Sequence, residues 1–251
     1  MDKMIYSIVS LKKPPEKLNA LLVGMKGISG ADLFVVSFAE LTAVVTDIER
    51  DKLVSDRDNA IEYAGVIETL AQEFTLLPMR FGSFLGSTND IKMMLGKNYN
   101  EIHDNLLKVE NKLEFGLKIF CASEKLKAEL RAKSETSTKT TANTGLEIKN
   151  SLYRDYVSKK LKEHKLEELL LSYVNSVIAE ITACLDRLKV VNKFKKMTDA
   201  TTIIDAVFLL EKDKKTELIK AVGDLQHLFP GLNFVLTGPW PPYNFVEIAI
   251  K

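Results

Sequence analysis

The chain has 251 residues, 35 Lys and Arg against 34 Asp and Glu, a net charge of +1, 46% hydrophobic and 27% charged residues. That length suits one large domain or two ordinary ones with proper cores. The near-zero charge excludes a partner held by bulk charge, such as a nucleic-acid backbone. Cys121 and Cys184 stand far apart in sequence, which argues against a disulfide framework and fits a reducing cytoplasm. No stretch approaches the roughly 18 apolar residues that would read as a membrane span.

The apolar run Met4 to Val9 is too short for the core of a signal peptide and reads as a first strand. Lys12-Lys13-Pro14-Pro15 ends it and opens a helix, because proline is well placed at a helix mouth. Leu18, Leu21, Leu22 and Met25 continue that helix at three-to-four spacing. Leu33 to Phe38 and Leu41 to Val45, separated by Ala39-Glu40, read as a hairpin whose turn lacks Asn-Gly or Asp-Gly. Asp56 to Glu73 reads as a helix with Ser55 as its N-cap and Ile61, Ala64, Ile67, Leu70, Ala71 and Phe74 inward. Thr75-Leu76-Leu77 begins a fourth strand. Thr88 to Lys112 is expected to be helical, broken near Gly96, with Met93, Met94, Ile102, Leu106, Leu107 and Val109 apolar. Met93 and Met94 read as gap-filling core.

Leu113 to Cys121 alternates with period two and is a half-buried strand. Ser123 to Lys133 reads as a short helix. The tract Ser134 to Gly145 has no large apolar residue, and 133–146 is expected to be a mobile insertion. A long helix follows over 146–188, its stripe formed by Leu166, Leu170, Tyr173, Val174, Val177, Ile178, Ile181 and Leu185. Val190 to Phe194 and Thr201 to Leu210 read as strands. Asp213 to Leu228 reads as a helix, with Leu218, Ile219, Val222, Leu225 and Leu228 inward and Pro230-Gly231 as its stop. Leu232 to Leu236 is the last strand. The order β-α-β-β-α-β thus occurs twice. The expected fold is α+β: two ferredoxin-like halves with antiparallel sheets, the C-terminal one the more regular. The expected division is 1–87, a helical connector 88–112, and 113–251.

Chemistry is sparse. His103, His164 and His227 are scattered, and no pair has metal spacing. His227, near a helix C-terminus, reads as a charge-dipole contact. Gly24-Met25-Lys26-Gly27 lacks the context of a phosphate loop, and no Gly-x-Ser-x-Gly elbow occurs. Lys193, Lys195 and Lys196 form a basic patch too small to imply nucleic acid. The carboxylates lie along helix faces, as in a solvated surface. No catalytic, cofactor or metal site is expected.

Two segments stand out instead. Leu236-Thr237-Gly238-Pro239-Trp240-Pro241-Pro242-Tyr243-Asn244-Phe245-Val246 holds three of the chain's seven prolines. Fixed φ and missing N–H groups make it a rigid, extended corner that presents Trp240 and Tyr243. The aromatics read either as a plug sealing the C-terminal core or as a pre-organised anchor for a partner. Leu77-Pro78-Met79-Arg80-Phe81-Gly82-Ser83 is the other segment. There Arg80 either lies outward with its stem packed on neighbours or pins the corner through its guanidinium. The first segment resembles the C-terminal Gly-Pro-Trp-Pro-Pro-Tyr-x-Phe-Val signature of the gas vesicle GvpF/GvpL family, and the second resembles its Leu-Pro-x-Arg-Phe-Gly stretch.

That resemblance implies a non-enzymatic accessory or minor structural protein of gas vesicles, flotation organelles of the cytoplasm. The implied partners are the small hydrophobic shell protein and other accessory proteins, with no cofactor. Arg80, Phe81, Trp240 and Tyr243 are the candidate contact residues, acting by aromatic contact or by strand addition at a sheet edge. The competing expectation is an enzyme or small-molecule binder on a ferredoxin-like scaffold, which a pocket of clustered ionisable groups would favour.

Overall fold

The computed structural model describes residues 1–10, 15–50, 53–54, 56–121, 151–188, 190–194 and 202–246. The expected helix over Ser123–Lys133, the insertion 133–146, Ser55, Lys195, Lys196 and the end of the apolar run beyond Val246 lie outside them. By packing, the chain forms two compact units. Unit 1 is Met1–Phe115, Leu209–Lys212 and Gly238–Lys251; unit 2 is Gly116–Phe208 and Asp213–Thr237. The segment expected as a connector, 88–112, therefore belongs to unit 1, and so does the proline corner, which had been expected in the second half.

The fold is α+β with two sheets. In unit 1, β1 (Asp2–Ser10), α1 (Pro15–Leu22), β2 (Leu33–Phe38), β3 (Leu41–Ile48), α2 (Arg57–Glu73) and β4 (Leu76–Pro78) follow in order. The strands pair antiparallel in the order β2-β3-β1-β4, and a further two-residue strand, β5 (Phe84–Leu85), also pairs with β1. Two helices come next, α3 (Thr88–Lys97) and α4 (Tyr99–Val109). They break at Asn98 rather than Gly96. Asn98 is buried, and both its backbone N–H and its side-chain amide donate to the Met94 carbonyl (3.1 and 2.8 Å). The side chain thus doubles the bond that ends α3. Gly96 is needed for another reason: a Cβ there would lie 3.0 Å from the Phe38 ring.

β6 (Lys112–Cys121), α5 (Ser151–Leu188), β7 (Val191–Phe194), β8 (Thr202–Glu211), α6 (Lys215–Leu228) and β9 (Leu232–Trp240) repeat the β-α-β-β-α-β order. The second sheet runs β7-β8-β6-β9, so both sheets place their strands as second, third, first, fourth. Unit 2 buries Leu117, Ile119, Val177, Ile181, Leu185, Phe208, Leu218 and Phe229, among others. The ring of Tyr173 meets Phe229 edge-on at 6.0 Å.

Helix faces differ from the expected stripes where large residues compete for the core. α2 buries Tyr63, Val66, Ile67 and Leu70, while Ile61 is 57% exposed. Tyr63 takes the head of that stripe in place of Ile61. Its cap is Asp56, whose Oδ1 accepts from the Asn59 N–H at 2.8 Å. On α6 two residues expected in the core, Ile219 and Leu228, are exposed, and Phe229 just beyond the helix is buried. Met94 is core, but Met93 is exposed.

The β2–β3 hairpin closes through Ala39-Glu40, with Phe38 opposite Leu41. Ala39 sits at φ 49°, where an L side chain crowds its own backbone. Ala39→Gly is therefore expected to raise unfolding free energy by about 0.5–1 kcal/mol in urea titrations; an unchanged or lower midpoint would show that the turn carries no such strain.

Candidate interaction site

β4 and β5 both pair with β1, yet they do not form one continuous strand. β4 runs against Ser7–Val9 and β5 against Lys3–Met4. Between them Met79–Ser83 leaves the ladder, opposite Ile5–Tyr6. On the other side of β1 the register with β3 shifts between Ile5 and Ser7, so Tyr6 is a bulged residue. The detour is held at its ends, where the Met79 N–H donates to the Tyr6 carbonyl and the Ile5 N–H to the Ser83 carbonyl, each at 2.9 Å. Its tip is a tight turn: Ser83 N–H donates to the Arg80 carbonyl at 3.0 Å, with Gly82 at φ 81°. That geometry needs glycine at its third position.

The interrupted ladder gathers carbonyls in a buried place, and Tyr63 of α2 supplies the donor. Its hydroxyl lies 2.9 Å from the Ile5 carbonyl, 3.0 Å from Met79 and 3.2 Å from Arg80. One O–H donates to one of them at a time. The ring stacks on Tyr6 (4.8 Å) and meets Phe81 edge-on (5.3 Å). Tyr6 reaches further, its hydroxyl accepting from the Ile28 N–H at 2.9 Å. Gly27 makes room, since a Cβ there would stand 2.4 Å from that hydroxyl.

The proline corner folds onto the same unit. Gly238 has φ 113°, and a Cβ would meet the Glu114 carbonyl at 2.8 Å; a cis peptide joins it to Pro239. Pro241, Pro242 and Phe245 are buried. Glu114, on β6, is only 2% exposed. Its carboxylate accepts from the Asn244 backbone N–H (2.8 Å) and from the Asn244 side-chain amide. Fixed donors thus stand in place of water around a buried carboxyl group.

Each expected contact residue can now be placed. Arg80 is exposed, and among the described residues nothing pairs with its guanidinium; the pinning is done by Tyr63. Phe81 is half-buried against the unit 1 core. Trp240 and Tyr243 remain 40% and 39% exposed, so they are not a plug in the C-terminal core; Phe245 and the prolines fill the interior instead. Tyr243 lies near enough to Tyr63 to oppose its ionisation, so both signature segments converge on α2. Burial, then Glu68 and Glu114, push the Tyr243 phenol up to about 12. Burial likewise pushes Tyr6 up to about 12, against the lowering effect of its bond from Ile28 and with Glu62 adding to the rise. Tyr63, the most buried, lies above the ordinary tyrosine range for the same leading cause.

Beside the corner opens a cleft of about 370 Å³, all of it within unit 1. Trp240 and Pro239–Pro242 form one wall, Glu68, Ala71 and Gln72 of α2 another, and Asn111, Lys112 and Leu113 the turn into β6; Lys212 also lines it. Among the described residues no group of three or more His, Cys, Asp or Glu is placed to hold a metal, and no helix is long and apolar enough to cross a membrane. Sequence reasoning missed Tyr63, Glu114 and Asn244. The spacing Tyr63-Val66-Ile67-Leu70-Phe74 held a signal for the first; nothing local marked the pair.

The class is therefore a two-unit α+β protein in which a C-terminal proline corner is latched to the N-terminal unit and leaves a tryptophan in the open. A family model described as gas vesicle synthesis protein GvpL/GvpF matches residues 3–247, and the chain belongs to that family. It is 24% identical to gas vesicle protein F1 of Halobacterium salinarum, over 92% of this chain and 89% of that one. It is 20% identical to gas vesicle protein L of a Streptomyces species, over 76% and 70%. Its fold is similar to the crystal structure of GvpF from Anabaena sp. PCC7120, with TM-score 0.75, 21% identity and 99% and 97% of the two chains covered. The GvpF structure from Microcystis aeruginosa gives TM-score 0.74 at 17% identity, covering 98% and 99%.

Tyr63→Phe removes the phenolic donor shared among the Ile5, Tyr6, Met79 and Arg80 carbonyls and is expected to cost about 1–3 kcal/mol in denaturant unfolding. Arg80→Ala should stay within about 0.5 kcal/mol. The reverse ranking would mean that the guanidinium, not the phenol, holds the segment. Raised phenol values also set a pH trend. A neutral phenol favoured in the folded state stabilises fully below about 10, and that contribution is lost as pH rises through about 12. Thermal melts between those values should show falling stability, with a shallower fall in Tyr6→Phe.

Proposed function

We propose that the protein is a non-enzymatic accessory component of gas vesicles that holds apolar segments of the small shell protein, and of other accessory proteins, during assembly. Family membership supports the gas vesicle role. The observation that carries the contact is Trp240: a large aromatic, 40% exposed, set between prolines on the wall of an open cleft. Subunits that polymerise through apolar surface aggregate unless something covers that surface first. A tryptophan held rigid by Gly238, Pro239, Pro241 and the Glu114–Asn244 latch loses little freedom on binding, so most of its buried area appears as affinity. Tyr243 and the exposed Arg80 offer further contact, while Phe81 serves from inside by bracing Tyr63.

Membership of the gas vesicle synthesis family is what supports the non-enzymatic reading. The clearly shifted groups point the same way. The buried Tyr6 and Tyr63 phenols, the part-exposed Tyr243 phenol and the buried Cys184 thiol are all held toward their neutral forms, away from those that attack a substrate.

Trp240→Ala is expected to weaken shell-protein binding by about 30-fold, the loss of an aromatic hot spot worth about 2 kcal/mol. Its melting temperature should stay near that of the wild type. Arg80→Ala should weaken binding less. Pull-downs and titrations with purified shell subunit check both; normal binding by both variants, with gas vesicles still forming, would remove this face from the mechanism.

A further inference from the structure

Sheet edges are hazards that proteins guard with charge, proline, brevity or cover. Among the described residues, three of the four outer strands are guarded. β4 is three residues long and ends in Pro78; β7 is four residues long and carries Lys193; α3 lies against β2, with Gly96 on the Phe38 ring. β9 is different. It is the outer strand of the second sheet and, among the described residues, pairs only with β6. Its nine residues, Leu-Asn-Phe-Val-Leu-Thr-Gly-Pro-Trp, include no charge, and the one proline comes only at Pro239. Asn233, Val235 and Thr237 are exposed in alternation, while Leu232 is buried and Phe234 and Leu236 are half-buried. Val235 stands 44% exposed in the middle of the free stretch.

We infer that β9 pairs antiparallel with β9 of a second copy of this chain, centred on Val235. The strand is self-complementary in that one register. A two-fold axis at Val235 sets Val235 against its partner equivalent. Asn233 of each copy then faces Thr237 of the other, an amide opposite a hydroxyl on the exposed face. Phe234 faces Leu236, an aromatic against an aliphatic residue on the face turned toward the core. Directly opposed residues of an antiparallel pair share a face, so every pair matches polar with polar and apolar with apolar. No like charges oppose the contact. Proline stands just outside the ladder at each end, Pro230 before it and Pro239 after it, which fixes the length of the pairing and stops it from sliding. The contact is isologous and closes on itself, giving a dimer and no fibre.

The register makes a test that misfolding cannot imitate. N233K/T237K sets lysine opposite lysine twice across the axis, whereas N233K/T237E sets lysine opposite glutamate twice. Both carry two substitutions at the same exposed positions. Sedimentation velocity of the full chain over a wide concentration range is expected to show a weak dimer for the wild type. N233K/T237K should raise the dissociation constant by about tenfold or more, and N233K/T237E should dimerise at least as well as the wild type. Circular dichroism of both variants should match the wild type. A wild type that stays monomeric, or an N233K/T237K variant that dimerises unchanged, overturns the pairing. If both variants lose the dimer equally, the register about Val235 is overturned.

Discussion

The hydroxyl of Tyr63 is the point from which the rest of unit 1 is held. A strand edge that detours from its neighbour leaves carbonyls without their ladder donors, and such groups cannot be left dry without cost. Met79–Ser83 makes this detour opposite the bulge at Tyr6, and the phenol of α2 fills the resulting gap. The stack of Tyr6, Tyr63 and Phe81 then ties β1, α2 and the detour into one body. Arg80 is left outside, exposed at the head of a turn that Gly82 alone allows.

The second signature segment is held by β6 rather than by α2, and by a different device. Its anchor is a carboxylate, Glu114, buried under the chain that it binds. An ionised group in such a place stabilises only with its donors fixed, and Asn244 brings two of them at once. Tight contact at Gly238 and buried Pro241 and Pro242 hold the chain on either side of Trp240. The exposed aromatic is therefore an outcome of the latch. A chain so constrained at both ends cannot turn its ring inward.

Much of this was legible from sequence, and the exceptions have physical causes. Strand and helix order followed from periodicity, and the prolines of 239–242 announced a rigid corner. Ile61 reads as buried because it stands at helical spacing with Ala64, Ile67 and Leu70; in the fold Tyr63 takes the core place, because carbonyls await its hydroxyl. Glu114 alternates with Leu113 and Phe115 and so reads as the wet face of a strand. It is dry because residues 130 positions later cover it, a contact that no local pattern encodes. The same distance hid the membership of the corner: adjacency in sequence assigned it to the second half, while Gly238 onward packs with the first unit.

Charge decides little about how this surface can select a partner. The net charge is +1, and the cleft beside Trp240 carries Glu68 as well as Lys112 and Lys212. A field of mixed sign steers nothing over distance and is screened within about 8–10 Å in physiological salt. Selection must then come from close fit. On the proposed function, an apolar segment would enter the cleft only where its side chains matched the spacing of Trp240 and the prolines around it. Rigidity thereby supplies discrimination as well as affinity. A flexible aromatic loop would take any greasy chain, whereas a latched one rejects those whose shape does not fit.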